Sequence, residues 1–572
     1  MLKPALRKMH SDFEIAKNAR VKPIEEIARM LRIPSRHLYL YGKYIAKIDL
    51  DILKDIHPKK KGKYILVSAI TPTPLGEGKT VTTIGVAMAL NRLGKLSSVC
   101  IRQPSLGPVF GIKGSAGGGG FSQVLPREDF DLHFTGDAHA IGLAHNIAAA
   151  FLDNSLFRKN KLNIDINKIY WRRVVDIGDR FLRNVRIGLG SPLDGIPRDS
   201  GFDITASSEI MAILALSSNF KELRQRLSRI VLAETKEGRC VTAKDIKVAG
   251  LMSVLLKDAI KPNLIQTIEN TPCFVHTGPF ANIAHGNSSL IQDRIALAFS
   301  DYVVTEAGFG ADCGAEKFFD IKCRLGNLQA DAVVLVCSLR ALKAHSGMYN
   351  IAPGKPLSES LTTKNILALE KGISNLEKQI ENIKYFNVPV VVAINRFNTD
   401  TDDEIEFVRK KAMYAGAQDC RVSEVWQKGS RGGLDVAEAV IKLASRKNKA
   451  KFIYPLESPL KDKIEAIAKK MYGAKNVDYS HTAEEKIALY TQRGWNKLPV
   501  CMAKTPLSLS HDPALLGAPR DFTLPIRDLR CHIGAGFIVV LCGQIQTMPG
   551  LPVHPRGENI DINLKGDIIG LS

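Results

Sequence analysis

Residues 63–93 read KYILVSAITPTPLGEGKTVTTIGVAMALNRL, an apolar run, a glycine-bearing loop and a second periodic run in immediate succession. Tyr64 to Ile70 is rich in branched apolar residues and predicts a buried strand, whereas Ile84, Met88 and Leu90 to Leu93 return at helical intervals. In a strand, loop and helix of this kind the backbone N–H groups of the loop and of the first helical turn converge on one point, which suits phosphate oxygens. Thr73, Pro74, Leu75, Gly76, Glu77, Gly78, Lys79 and Thr80 form the candidate cradle for ATP. Gly76 and Gly78 permit close backbone approach, Lys79 neutralises the β and γ phosphates, and Thr80 holds Mg²⁺. Thr73 stands where the usual phosphate-loop pattern has its first glycine, so a tight turn without a ligand is the competing reading.

Outward from this segment, further apolar runs occur at Ser98 to Ile101, Cys273 to His276, Tyr302 to Thr305, Ala332 to Cys337 and Pro389 to Ile394, with helix-length stretches between them. Near-continuous apolar strands alternating with helices predict an α/β fold, a P-loop-type, mainly parallel sheet with helices on both faces. Between Thr363 and Phe386, Ile366, Leu369, Ile373, Leu376, Ile380 and Ile383 step by three and four, one face of a helix packed on that sheet. Beyond about residue 455 prolines become frequent, from Pro499 to Pro555, which marks a separate C-terminal domain.

The chain has 572 residues, 45% of them hydrophobic, enough for a buried core and about two to four domains. No run approaches the about 18 consecutive apolar residues of a membrane helix, and the N-terminal segment lacks the apolar core of a secretory signal. Ten cysteines without paired spacing suggest a reduced, cytoplasmic protein. The net charge of +21 is dispersed apart from Lys59, Lys60, Lys61 and Lys63, and no interleaved aromatic signature accompanies it. That favours anionic small molecules over nucleic acid as partners.

Several residues outside the loop carry chemistry. Arg102 ends a predicted strand and opens RQPSLGPVFGIKGSAGGGG, which places it where ligands collect in a parallel sheet. Gly117 to Gly120 are either part of that site or a flexible loop. His133 and His139 flank Asp137 in a cluster expected to be hydrogen-bonded inside the fold rather than metal-binding. Cys313 and Cys323 have no second pair to complete a zinc site and are expected to be structural. NRFN at Asn395 to Asn398 lacks the aspartate of guanine-reading motifs.

The strings TPTPLGEGKTVTT, RQPSLGPVFGIKG, LHFTGDAHAI, PFANIAHG, EAGFGADCGAEKFFDIKCR, NRFNTDTDDEI and GAGFIVVLCGQIQTMPGLP, in this order, resemble the formate–tetrahydrofolate ligase family over nearly the whole chain. Since the resemblance begins near Ser11, almost no room for a transit peptide is expected. It implies a homotetramer whose subunit joins formate to tetrahydrofolate with ATP, through formyl phosphate, giving 10-formyltetrahydrofolate, ADP and phosphate. Lys79 and Arg102 are then the catalytic pair, with Mg²⁺ at Thr80. Phe397 and Trp426 would hold the folate ring by stacking, each contact worth about 0.5–1.5 kcal/mol beyond area burial. The implied domains are 1–365, nucleotide-binding; 366–455, a second, smaller α/β domain contributing to the folate site; and 456–572, a C-terminal α/β domain.

The chain departs from the family pattern at several places. Gln103 replaces a glutamate associated with a monovalent cation, K⁺ or NH4⁺, and an amide weakens such a site. Ser115, Gly117, Asn287, Ser346, Pro506, Leu507 and Val553 are further departures. The alternative is therefore a diverged, non-catalytic paralogue that binds ATP or folate as a regulatory subunit.

Overall fold

The computed structural model describes residues 11–56, 62–349, 351 and 359–571; Lys59, Lys60 and Lys61 lie outside them. One twelve-stranded sheet organises the chain. Its strands are β1 (Leu38–Tyr41), β2 (Ile45–Ile48), β3 (Lys63–Ala69), β4 (Ser97–Ile101), β5 (Gly118–Gly119), β6 (Ser122–Leu125), β7 (Asn263–Thr267), β8 (Pro272–Val275), β9 (Tyr302–Glu306), β10 (Ala332–Cys337), β11 (Val390–Asn395) and β12 (Asp419–Ser423). The order is β1-β2-β7-β8-β4-β9-β3-β10-β11-β12, with β6 pairing β7 and β5 pairing β6. From β8 to β12 every pairing is parallel, and antiparallel pairs are confined to the β1 side. The six runs singled out in the sequence are neighbours in this order, β8-β4-β9-β3-β10-β11. The edge strand β12, DCRVS, escaped notice because it is only partly buried and lacks a continuous apolar run.

Alternation along β3 shows why both faces are covered. Tyr64 and Leu66 enter one core, while Ile65, Val67 and Ala69 enter the other, and β10 divides in the same way. Each fully buried Val, Leu or Ile contributes about 1.5–3 kcal/mol of transfer free energy, an upper bound for an already compact unfolded chain. The helices used below are α1 (Lys79–Arg92), α2 (Asp137–Phe157), α3 (Glu209–Leu216), α4 (Ile366–Lys384) and α5 (Leu434–Ala444). The apolar face of α4 is buried as expected. The same helix also buries Asn375, Gln379 and Asn382, which the apolar period does not reveal.

The expected boundary at residue 365 falls between β10 and β11. These strands pair from Val333 with Val390 to Cys337 with Ile394, so β11 and β12 extend the large sheet instead of building one of their own. A small antiparallel sheet of Ile164–Ile169, Val231–Thr235 and Cys240–Thr242 lies in the chain between β6 and β7. The C-terminal region carries its own four-stranded sheet, β13 (Asn476–Tyr479), β14 (Val500–Ala503), β15 (Thr523–His532) and β16 (Phe537–Cys542), in the order β13-β15-β16-β14.

Candidate active site

Parallel strands with one direction present all their C-terminal ends at one edge, and the loops that leave this edge carry the candidate residues. Gly78, with φ of 82°, caps α1, and Gly76 has φ of 73°; both lie in the left-handed region that glycine enters without strain. A Cβ on Gly78 would lie 2.5 Å from Asn395 Nδ2, which itself donates to the Glu77 carbonyl at 3.3 Å. The last residue of β11 thus pins the loop from the side.

Thr73 has a clear role at the position where the loop departs from the usual pattern. Its N–H donates to Glu77 Oε1 at 2.7 Å and its hydroxyl does so at 3.2 Å, closing the loop on a buried carboxyl. Burial pushes that carboxyl up, against the opposing pull of Lys79 and the Thr73 hydrogen bonds. Lys79 Nζ lies 3.9 Å from Glu77 Oε2, too far for a tight pair. Pro74 and Gly76 are exposed at the rim, and Leu75 donates its N–H to Thr73 Oγ1 at 3.3 Å.

Sequence reasoning missed Glu306. It ends β9, beside β3 in the sheet, and accepts from Thr80 Oγ1 at 2.7 Å. Arg102 Nη2 lies 3.7 Å from its other oxygen, while Arg102 Nη1 donates to the Pro279 carbonyl at 3.0 Å. A Cβ on Gly308 would lie 3.0 Å from both terminal nitrogens of Arg102, so this glycine makes room for the guanidinium. The Thr80 hydroxyl and the Glu306 carboxylate are hard oxygen donors, a set that fits Mg²⁺ held jointly with substrate phosphates. The missed signal was an acid ending the apolar run YVVTE next to the phosphate-loop strand.

Lys113 is a second unanticipated residue, a cation. Its Nζ lies 5.4 Å from the centroid of Phe309, a residue in left-handed backbone with φ of 59°. Surrounding protein, then Arg102 and Lys79, push its amine down to about 8, although the side chain still reaches solvent at the mouth of the site.

Phe397 follows β11, two strands from β3, and Trp426 follows β12, three strands from it. The Arg340 guanidinium stacks on Phe397 at 4.1 Å from the ring centroid, and Gln427 Nε2 donates to Asn398 Oδ1 at 2.5 Å, tying the two loops together. The glycine run packs closely against Trp426. A Cβ on Gly119 would lie 3.1 Å from Trp426 Nε1 and one on Gly120 would lie 2.1 Å from its carbonyl oxygen, while Phe121 donates to that carbonyl at 2.8 Å. These glycines are contact surface for Trp426 rather than slack chain.

Gln103 is buried beside Arg102, its N–H donating to the Thr277 carbonyl at 2.7 Å. Asp137 is committed elsewhere, to Lys47 Nζ at 2.7 Å and Asn263 Nδ2 at 2.9 Å. His133 and His139, expected inside the fold, are exposed instead because they point outward beside the buried Asp137. Among the described residues no group of three or more His, Cys, Asp or Glu is arranged to hold a metal ion. Cys313 and Cys323 are buried, and neither forms a disulfide. Of the departures, Ser115 holds Asp131 and Arg127, Asn287 Nδ2 donates to the His285 carbonyl at 2.7 Å, and the Ser346 hydroxyl donates to the Lys343 carbonyl at 2.5 Å, so each is built into local structure.

Comparison with known proteins gives one consistent result. The family described as "Formate--tetrahydrofolate ligase" matches residues 10–572. A Roseiflexus castenholzii protein named "Formate--tetrahydrofolate ligase" is 55% identical over 564 residues, covering 99% of this chain and 100% of its own. One of the same name from Chloroflexus aurantiacus is 53% identical over 571 residues, covering 98% and 100%. Glu306, Arg102 and the glycine loop at one sheet edge, with Phe397 and Trp426 two and three strands from β3, occur in a chain that belongs to the formate–tetrahydrofolate ligase family.

Proposed function

We propose that this enzyme joins formate to tetrahydrofolate at the expense of ATP, through a formyl phosphate intermediate. The observation that carries the reading is the convergence on one sheet edge of Lys79, Thr80, Arg102 and Glu306 with the aromatic pair Phe397 and Trp426. Loop N–H groups and Lys79 hold the phosphates. Thr80 and Glu306 are the residues that would hold Mg²⁺, whose charge supplies electrostatic stabilisation of the phosphoryl group when bound. A formate oxygen attacks the γ phosphorus as its bond to the ADP oxygen breaks, and ADP leaves with the electron pair. Arg102, whose Nη2 makes only a long 3.7 Å contact with Glu306, neutralises the charge that otherwise repels one anion from another. N10 of the folate then attacks the formyl carbon, phosphate leaves with the C–O electron pair, and the N10 proton passes to solvent. One face of the Phe397 ring is taken by Arg340, which leaves the other for stacking.

The non-catalytic alternative is disfavoured because the retained residues are not scattered relics: Thr80, Glu306 and Arg102 form one continuous polar chain. The test is ADP release measured with formate and tetrahydrofolate added singly and together. Release that ignores either substrate would sink the proposal. Glu306→Gln should raise the Mg²⁺ concentration needed for half-maximal rate.

The amide of Gln103 leaves the neighbouring monovalent cation site weak, and Asp137, neutralised by Lys47, does not replace the missing charge. Potassium should activate only slightly, and Gln103→Glu should strengthen the response, read as initial rate against potassium at constant ionic strength with tetramethylammonium as the replacing ion. A homotetramer accords with exposed apolar side chains such as Phe181 at 87% and Leu193 at 85%, and light scattering decides it. None of the ten cysteines forms a disulfide, in keeping with a reducing cytoplasm, and among the described residues no helix is long and apolar enough to cross a membrane.

A further inference from the structure

A cavity of about 280 Å³ lies apart from the phosphate loop, walled by α2, the start of α3 and strands β15 and β16. Most of its polar wall is already satisfied. His145 stacks on Trp171 with ring centroids 3.9 Å apart, and its ring nitrogens meet Ser208 Oγ at 2.8 Å and the Arg172 carbonyl at 3.0 Å. Lys486 pairs with Asp528 at 2.6 Å and Arg172 with Asp203 at 3.3 Å. Glu209 accepts from the Ala535 N–H at 3.1 Å.

Two groups stand out against this background. Asp528, Arg530 and His532 alternate along β15 and so share one face of the strand. Among the described residues the Arg530 guanidinium has neither an ion pair nor a hydrogen bond, and His532 Nδ1 is buried without a partner. Both line the cavity, whose remaining wall is apolar at Ile169, Ile283 and Leu541. An orphaned buried ring nitrogen is costly unless something pairs with it, and the planar guanidinium beside it matches the two oxygens of a carboxylate or phosphate. Burial, with the Arg530 charge second, pushes the His532 ring down to about 3, so it is neutral near pH 7 and Arg530 remains the cation unpaired in the wall. Ligand pockets run from about 300 to 1,000 Å³, so this one admits a single ring or a short chain and excludes ATP and folates.

We propose that this cavity is a second binding site, for a small organic anion whose carboxylate or phosphate pairs with Arg530 and His532 and whose apolar body lies against Ile283 and Leu541. It is separate from the ATP and folate site.

Isothermal titration of the full-length protein tests it, with the phosphate loop first saturated by a non-hydrolysable ATP analogue and Mg²⁺. Benzoate and phenyl phosphate are the probes, and the tighter of the two identifies the headgroup. The expected result is one site per chain, weakened about tenfold or more by Arg530→Gln and partly restored by Arg530→Lys. His532→Asn should weaken binding less. Thermal unfolding of each variant shows that the fold is kept. The proposal is overturned if neither probe binds the nucleotide-saturated protein, or if Arg530→Gln binds as tightly as the parent.

Discussion

Charged side chains occupy two neighbouring layers of this molecule and are held differently in each. At the C-terminal edge of the sheet, Lys79 lies 3.9 Å from Glu77 and Arg102 lies 3.7 Å from Glu306, and both cations are partly exposed. Deeper in the protein, Lys504, just past β14, is 2.9 Å from Asp312 and Lys322 is 2.5 Å from Asp293, with every side chain at 0–1% exposure. Asp312 also accepts from Gln379 of α4 at 2.7 Å, and Gln379 reaches the Thr71 hydroxyl at 3.1 Å, so the dry layer supports the start of the phosphate loop. The same residue types therefore do different work. Short, dry pairs are complete as they stand, whereas long pairs with partly exposed cations keep donors available for a ligand.

The largest effect expected from this contrast is on stability. Lys504→Met should cost about 3–5 kcal/mol, because Asp312 is left as a buried charge without its partner. Urea unfolding measures it, and the double change Lys504→Met with Asp312→Leu should recover part of the loss. A single-variant cost no larger than that of a surface substitution would erase the distinction between the layers.

Next comes Lys79→Ala, which should lower turnover about 10² to 10³-fold while leaving the urea midpoint unchanged. Arg102→Ala should behave alike, with the loss in kcat rather than in the KM for ATP. A marked loss of stability in either variant would place these cations in the structural layer.

Trp426→Ala should raise the KM for tetrahydrofolate several-fold and that for ATP much less, since stacking stabilises the ring wherever it is bound. Equal changes in both constants would show that the variant acts through the glycine run packed against it.

A pH effect sharpens the comparison through Glu209, whose carboxyl is pushed from 4.5 up to about 8 by burial. Below 4.5 both folded and unfolded chains hold this proton. Between 4.5 and about 8 only the folded chain does, so this group's contribution to stability falls as pH rises through that window. Glu209→Gln should flatten the fall. Subtracting the two profiles isolates the effect from His145 and His532, whose lowered values act in the opposite sense below 6.5. Parallel profiles would show that the carboxyl titrates normally.

The strand, glycine loop and helix from Lys63 to Arg92, six consecutive strands of the sheet and the apolar face of α4 were legible in the sequence because each is a short-range pattern. An apolar run or a glycine spacing states its own local geometry whatever the rest of the chain does. The assignment of Phe397 and Trp426 to one site came from family resemblance, since nothing local joins two aromatic residues that follow adjacent parallel strands.

What tertiary structure alone decided are the contacts set by strand order. Glu306 reaches Thr80 across 226 residues, a partnership that exists because β9 lies beside β3 rather than beside its sequence neighbours. The glycine run reaches Trp426 across some three hundred positions, as the 303-residue separation of the neighbouring Ser122 to Val425 bond shows. The joining of β11 to β10 carries the large sheet past residue 365, where the family resemblance implies a boundary. Burial of Asn375 and Gln379 on α4 follows from the polar loop start at Thr71 against which that helix lies. In each case the residue's own neighbourhood in sequence is ordinary, and its role comes from a partner that the order of strands brings near.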